Sequence, residues 1–217
     1  MVDHRKMVER FHRNERVEML SDGVFAIVVT LLVLELRVPH IEHGSSTTEM
    51  LEALYGMRAK LVSFVLSFVF VINLWFSHTV LFRIFIKIDN VMLWLNNLLL
   101  LIICFIPFPT AMIGEYPQNV AGMILFGIPW ILIPLIFYTL GSYARAKKNL
   151  TPLLDHQRFI QVRKATLMYI PVVLGNMLIS IFNTNLAFCI YIFLLVLGII
   201  LGFRVRLVRV EAEELEK

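Results

Sequence analysis

The chain has 217 residues, 59% of them hydrophobic and 17% charged, and its mean hydropathy is +0.78. Soluble domains hold about 45–50% apolar residues, so the composition excludes an ordinary water-soluble enzyme or binding domain and identifies a chain whose solvent is lipid. The net charge of +4 sits on basic residues that flank apolar runs without a recognition motif, which excludes nucleic-acid binding and assigns the charge to topology and anionic lipid head groups.

Runs of about 20 apolar residues are long enough to cross a bilayer. They occur six times, over residues 17–37, 60–82, 91–113, 120–142, 165–183 and 185–203, and predict a single all-α integral membrane domain spanning 1–217. The stretch up to Glu18 is too polar for the core of a signal peptide, so no removal is expected. Both termini are expected in the cytoplasm, because that orientation puts 17 of the 20 Lys and Arg residues inside and leaves only Arg37, Arg58 and Lys60 outside.

The first run opens on Ser21 and Asp22. On a helix of about 100° per residue, Leu20, Val24, Ile27, Leu31, Leu34 and Val38 share one stripe, Asp22 lies about 140° from Ile27, and Thr30 lies about 60° to one side. An ionisable group in a span is costly and marks a functional candidate. Asp22 therefore needs hydrogen-bond donors, and the second and third runs offer Asn73, Trp75, Ser77, His78, Asn96 and Asn97. By residue spacing alone the apolar stripe reads first as a helix-packing seam, with a pore lining as the alternative.

Beyond the first run the punctuation is local. Pro39 to Thr48 reads as an exterior loop whose His40 and His43 are solvated rather than metal-binding. Lys87 to Asn90 separates runs two and three, Gly114 to Asn119 separates three and four, and the basic stretch Ala144 to Lys164 separates four and five. Pro107, Pro109, Pro129, Pro134 and Pro171 interrupt the later runs without a mirrored pattern. Asn183-Thr-Asn185 is short enough to force a tight helical hairpin. The tail from Arg204 to Lys217 reads as a solvated helix along the membrane surface. Cys104 and Cys189 fall inside runs, where small core residues are expected rather than a disulfide or metal site. No Gly-rich phosphate loop, nucleophile elbow or helical zinc motif is present, and Ser63, Ser67, Ser77 and Ser180 lack a nucleophile setting, so no catalytic residue is assigned.

The segment Arg16-x-x-x-Leu20-Ser21-Asp22-Gly23-Val24-Phe25-Ala26-Ile27, continuing through Thr30 to Leu36, resembles the first-helix signature of the transmembrane protein 175 family, the lysosomal potassium channels and their prokaryotic relatives. That family usually carries Phe where this chain has Leu20. The likeness extends to six spans, to a His and a Trp late in span two, to Asn in span three, and to a length suited to the prokaryotic single-repeat branch. It implies a potassium-permeable cation channel in which the first helices of a homotetramer line a central pore, in a prokaryotic plasma membrane. By motif position the constriction falls on Ile27, with further apolar rings at Leu31 and Leu34 and a hydroxyl layer at Thr30. Arg16, Ser21, Asp22, Trp75, His78 and Asn97 then form the polar cluster that holds the pore helix. The implied partners are further copies of the chain, K⁺ and other monovalent cations, and lipid, with no cofactor beyond the permeant ion. Selectivity for K⁺ over Na⁺ is expected to be modest, since methyl groups cannot replace a hydration shell, and Glu35 near the exterior mouth would concentrate cations. Two other classes stay open: a proton- or cation-coupled transporter titrating Asp22, and a non-conducting structural subunit.

Overall fold

The computed structural model describes residues 4–39, 46–151, 154 and 156–215, with side chains described between Asn14 and Ile200 except at 40–45, 152, 153, 155, 156 and 158. Apart from one isolated bridge between Phe85 and Leu150, the described chain is all-helical. It comprises α1 (His4–Leu31), α2 (Thr47–Gly56), α3 (Arg58–Arg83), α4 (Asn90–Phe105), α5 (Pro107–Glu115), α6 (Val120–Ala146), α7 (His156–Phe182) and α8 (Thr184–Leu215). Among the described residues five segments are long and apolar enough to cross a membrane: Asn14–Glu35, Arg58–Arg83, Asn90–Glu115, Val120–Ala146 and Phe159–Phe182. The described apolar part of α8, Thr184–Ile200, is shorter.

Three boundaries differ from the sequence reading. The first span is not one continuous α-helix over 17–37, because the backbone tightens to a 3-10 turn at Leu32–Glu35. The third span bends at Ile106 into α4 and α5, where Pro107 and Pro109 withdraw backbone donors from the helical ladder. The connection between the first two spans carries the extra helix α2, started by a capping box in which Ser46 and Glu49 satisfy each other's backbone N–H groups. The tight hairpin is as expected, since Asn183 alone separates α7 from α8 and its side chain accepts a hydrogen bond from the Leu186 N–H at 3.0 Å. His40 and His43, the side chains of Arg5, Lys6, Arg10, Arg13 and Arg158, and those of the 204–217 tail lie outside the described residues.

Helix α1 packs along one side of the bundle against α3 and α4, while α6, α7 and α8 form the opposite side. Lipid is as apolar as Leu, so such helices associate through close packing and buried polar contacts rather than by hiding hydrophobic surface. Both devices are present. Phe70 stacks on Trp130 with ring centroids 4.1 Å apart, and Tyr191 meets Phe126 and Trp130 at 5.2 and 5.1 Å. Ser67 and Thr110 share a hydrogen bond of 2.7 Å between α3 and α5, and Lys60 pairs with Glu115 at the end of the same contact. Cys104 and Cys189 are exposed on the protomer surface, which corrects their assignment to the core. A thiol is apolar enough to face hydrocarbon, so its place inside a span does not fix its side.

The base of α1 is tied to the rest of the bundle through loop backbone. The Asn14 carboxamide oxygen accepts from the Ile88 N–H at 3.0 Å, and the Asn149 carboxamide binds both the N–H and the carbonyl of Lys87. Asp89 caps α4 by accepting from the Met92 N–H at 2.9 Å and also accepts from the Tyr143 hydroxyl at 2.8 Å. Its burial pushes the carboxyl upward, but these two bonds, the Val91 N–H and the Lys147 charge together hold it below the usual carboxylate value. One loop thereby joins α1, α4 and α6.

Candidate functional site

Two faces of α1 have different environments. Val17, Ser21, Phe25, Val28 and Leu32 recur at spacings of 4, 4, 3 and 4 and are buried against α3 and α4. About 100° round the helix from that stripe, Leu20, Ile27, Leu31 and Leu34 are exposed in the protomer by 53%, 59%, 42% and 67%. Val24, one turn from both Leu20 and Ile27 on the same stripe, is half-buried and packs against the core, so the open strip is narrower than the spacing suggests. The 3-10 turn alters the register usefully. Three steps of about 120° bring Leu34 back to the angle of Leu31, whereas α-helical steps would leave the two about 60° apart.

Thr30 lies beside this strip and is exposed. Its hydroxyl donates to the Ile27 carbonyl at 2.7 Å. With the proton committed to the backbone, the outward side of the oxygen offers lone pairs, the polarity that suits a cation.

The polar residues predicted around Asp22 divide into two groups. In the buried group His78 Nε2 donates to Asn96 Oδ1 at 3.0 Å, Asn96 Nδ2 donates to Ser21 Oγ at 3.0 Å, and Ser21 Oγ donates to the Val17 carbonyl at 2.8 Å. The direction of these bonds assigns the Nε2–H tautomer to His78. The ring is further held by Phe82, 4.0 Å away and stacked, and by Phe25 at 5.6 Å. Helices α3, α4 and α1 are thus fastened by one fully satisfied chain of hydrogen bonds. In the second group Asp22 is exposed rather than enclosed, and its Oδ1 accepts from Trp75 Nε1 at 2.8 Å. Ser77 turns back to the Asn73 carbonyl, at 2.9 Å, and takes no part. Arg16 is exposed about 20° from the Ile27 direction.

Asn96, not Asn97, is the asparagine of the cluster. Asn97 is half-buried, while Asn96 is in phase with the buried stripe of α4 formed by Met92, Leu99 and Ile103. That phase was readable from the sequence. Asn14 and Asn149, which fasten the base of α1, were missed because a lone Asn near a helix end or turn carries no signal of a distant backbone partner.

The division of labour between Asn96 and Asn97 is testable by stability. Asn96→Leu strands the His78 Nε2–H in the core and should cost about 1–3 kcal/mol, seen as a lower midpoint of thermal unfolding in detergent. Asn97→Leu should stay within about 0.5 kcal/mol of the parent. Equal losses would show that the buried chain of bonds contributes nothing specific.

The family model described as endosomal/lysosomal potassium channel TMEM175 matches residues 16–107, which run from within α1 through α2 and α3 to the end of α4. A potassium channel of Chamaesiphon minutus is 36% identical over 151 residues, 66% of this chain and 73% of that protein. A potassium channel of Streptomyces collinus is 37% identical over 101 residues, 46% of this chain and 48% of that protein. The crystal structure of a lysosomal potassium-selective channel TMEM175 homolog from Chamaesiphon minutus superposes with a TM-score of 0.77 at 26% identity, covering 88% of this chain and 98% of that one. The chain is therefore a member of the TMEM175 family, a family of ion channels and not of enzymes.

Proposed function

We propose that four copies of this chain form a potassium-permeable cation channel with α1 lining the pore. The observation that carries this reading is the strip of Leu20, Ile27, Leu31 and Leu34, which has no cover among the described residues although the neighbouring stripe of the same helix is buried. Gly23, Ala26 and Thr30 border the strip on one side, and a Cβ added at Gly23 would meet nothing within 4 Å, so another helix can approach closely there. Helix α8 serves as the sixth span, its apolar part continued by the helical backbone to Leu215, and both termini lie in the cytoplasm. The bacterial relatives support a prokaryotic plasma membrane.

Four Ile27 side chains facing one axis offer no hydrogen-bond acceptor, so a closed ring excludes water and blocks ions by dewetting. Leu31 and Leu34, aligned by the 3-10 turn, extend that apolar throat toward Glu35. Dilation admits a partly hydrated cation, and K⁺, which sheds water more cheaply than Na⁺, is favoured. Thr30 supplies four outward oxygens next to the constriction. Ser21, His78 and Asn96 fix the pore helix against α3 and α4, while Trp75 and Asp22 hold its flank and Arg16 closes the motif.

The test is ion flux from the purified chain in liposomes. K⁺ should pass without saturating and faster than Na⁺, and Thr30→Val should lower the K⁺/Na⁺ ratio by about threefold while leaving a conducting pore. Saturable, gradient-coupled uptake would establish the transporter class in its place, and no flux would establish the structural subunit.

A further inference from the structure

We propose that α2 is an interfacial helix that lies on the outer leaflet with its apolar face sunk into the boundary between head groups and acyl chains. The inference rests on the channel reading only in taking α3 as a span and its N-terminal end as exterior.

Four apolar side chains of α2, Met50, Leu51, Leu54 and Tyr55, are exposed by 45%, 61%, 43% and 69%, and no residue of the helix is buried. At about 100° per residue they occupy one arc of about 140°, and Glu49 and Glu52 stand on the opposite side. The face is a true amphipathic one, and nothing among the described residues covers it.

Three features identify lipid as the occupant. Only Met57 separates α2 from α3, so the helix sits at the level where that span begins. At this junction the Arg58 guanidinium lies 4.6 Å from the centre of the Tyr55 ring and donates to the Tyr55 carbonyl at 3.3 Å. A Tyr and an Arg clasped at the end of a span are the amphipathic groups that settle at a head-group boundary, one with its ring in the apolar zone and the other reaching for phosphate. Leu61, Val62 and Val65 in the first turns of α3 are exposed as well, so apolar surface continues from α2 into the start of the span. Because α2 carries two glutamates and no basic residue, apolar insertion and not charge attraction would hold it, and binding should be indifferent to anionic lipid.

Fluorescence quenching decides between the occupants. In the full chain with Cys104 and Cys189 replaced by Ala, single cysteines at Leu51 and Glu52 are labelled with a small environment-sensitive dye and reconstituted in phosphatidylcholine vesicles, with and without phosphatidylglycerol. A phosphatidylcholine spin-labelled near its carbonyl should quench the Leu51 label severalfold more than the Glu52 label, external iodide should show the reverse preference, and added phosphatidylglycerol should change neither. Iodide quenching of both labels with no effect of spin-labelled lipid would overturn the proposal in favour of a free aqueous helix. Shielding of the Leu51 label from both quenchers would overturn it in favour of cover by a second copy of the chain. Potassium flux from the same vesicles reports the channel reading separately, so a conducting protein with an unquenched Leu51 label refutes only the interfacial helix.

Discussion

Ile27→Asn should increase potassium flux by about tenfold or more, the effect of lowering a barrier by about 1.4 kcal/mol, and should reduce the preference for K⁺ over Na⁺. Ile27 is exposed by 59% in the protomer and lies outside its core, so the substitution leaves the packing of the protomer largely intact. What changes is the wetting of the throat. A ring of four carboxamides holds water where four sec-butyl side chains repel it, and a wetted constriction no longer demands partial dehydration. Liposome flux and reversal potentials in mixed K⁺/Na⁺ solutions measure both quantities, and the unfolding midpoint should stay near that of the parent. Unchanged flux and selectivity would remove Ile27 from the constriction.

A loss of stability is also expected away from α1, at Gly127. A Cβ there would stand 2.4 Å from the Tyr191 hydroxyl, 2.9 Å from Met177 Cγ and 3.0 Å from Met177 Sδ. The methionine can yield, but the tyrosine cannot easily do so, because it is fully buried with Phe126 and Trp130 against its ring. In a free helix Ala is better than Gly by about 1 kcal/mol, so propensity alone favours Gly127→Ala. Overpacking of a dense site costs about 1–3 kcal/mol, and the clash is close enough for this term to win. Gly127→Ala should therefore lower the thermal midpoint in detergent, and adding Tyr191→Phe, which removes the clashing oxygen, should recover most of the loss. A Gly127→Ala protein more stable than its parent would mean that α6, α7 and α8 are less closely packed than described.

The legible part of the fold was that dictated by the solvent. Apolar run lengths gave the spans from α1 to α7, Pro107 and Pro109 marked the bend in the third, and the single Asn183 linker required the α7–α8 hairpin. Residues set by a distant partner were not legible. The 3-10 turn at Leu32–Glu35 has no Gly or Pro to announce it, and it arises where buried Leu32 packs against α3 and α5. The helix α2 hid in a loop because its ten residues are too few to register as a span, although Ser46 and Glu49 spelled a capping box. At the site, spacing marked the stripe around Ile27, and donor chemistry offered Trp75 as one of six candidate partners for Asp22. The exposure of Asp22, and which donor it meets, were not legible. Spacing says which way a carboxylate points on its helix, but not whether a neighbouring helix reaches that far. Choosing Asn97 over Asn96 had a simpler cause, since both are near the right depth and only the phase of the α4 stripe tells them apart.

Convergence of four Ile27 positions on one axis is most directly probed with a metal that needs several thiolates at once. In the chain with Cys104 and Cys189 replaced by Ala, Ile27→Cys should conduct K⁺ in single-channel recordings and be blocked by micromolar Cd²⁺, with recovery on chelation, since soft thiolates meeting at one point form a cadmium site in the ion path. A potassium current through the Ile27→Cys protein that Cd²⁺ leaves untouched would contradict the account, because the thiols would then lie apart from one another and away from the permeating ion.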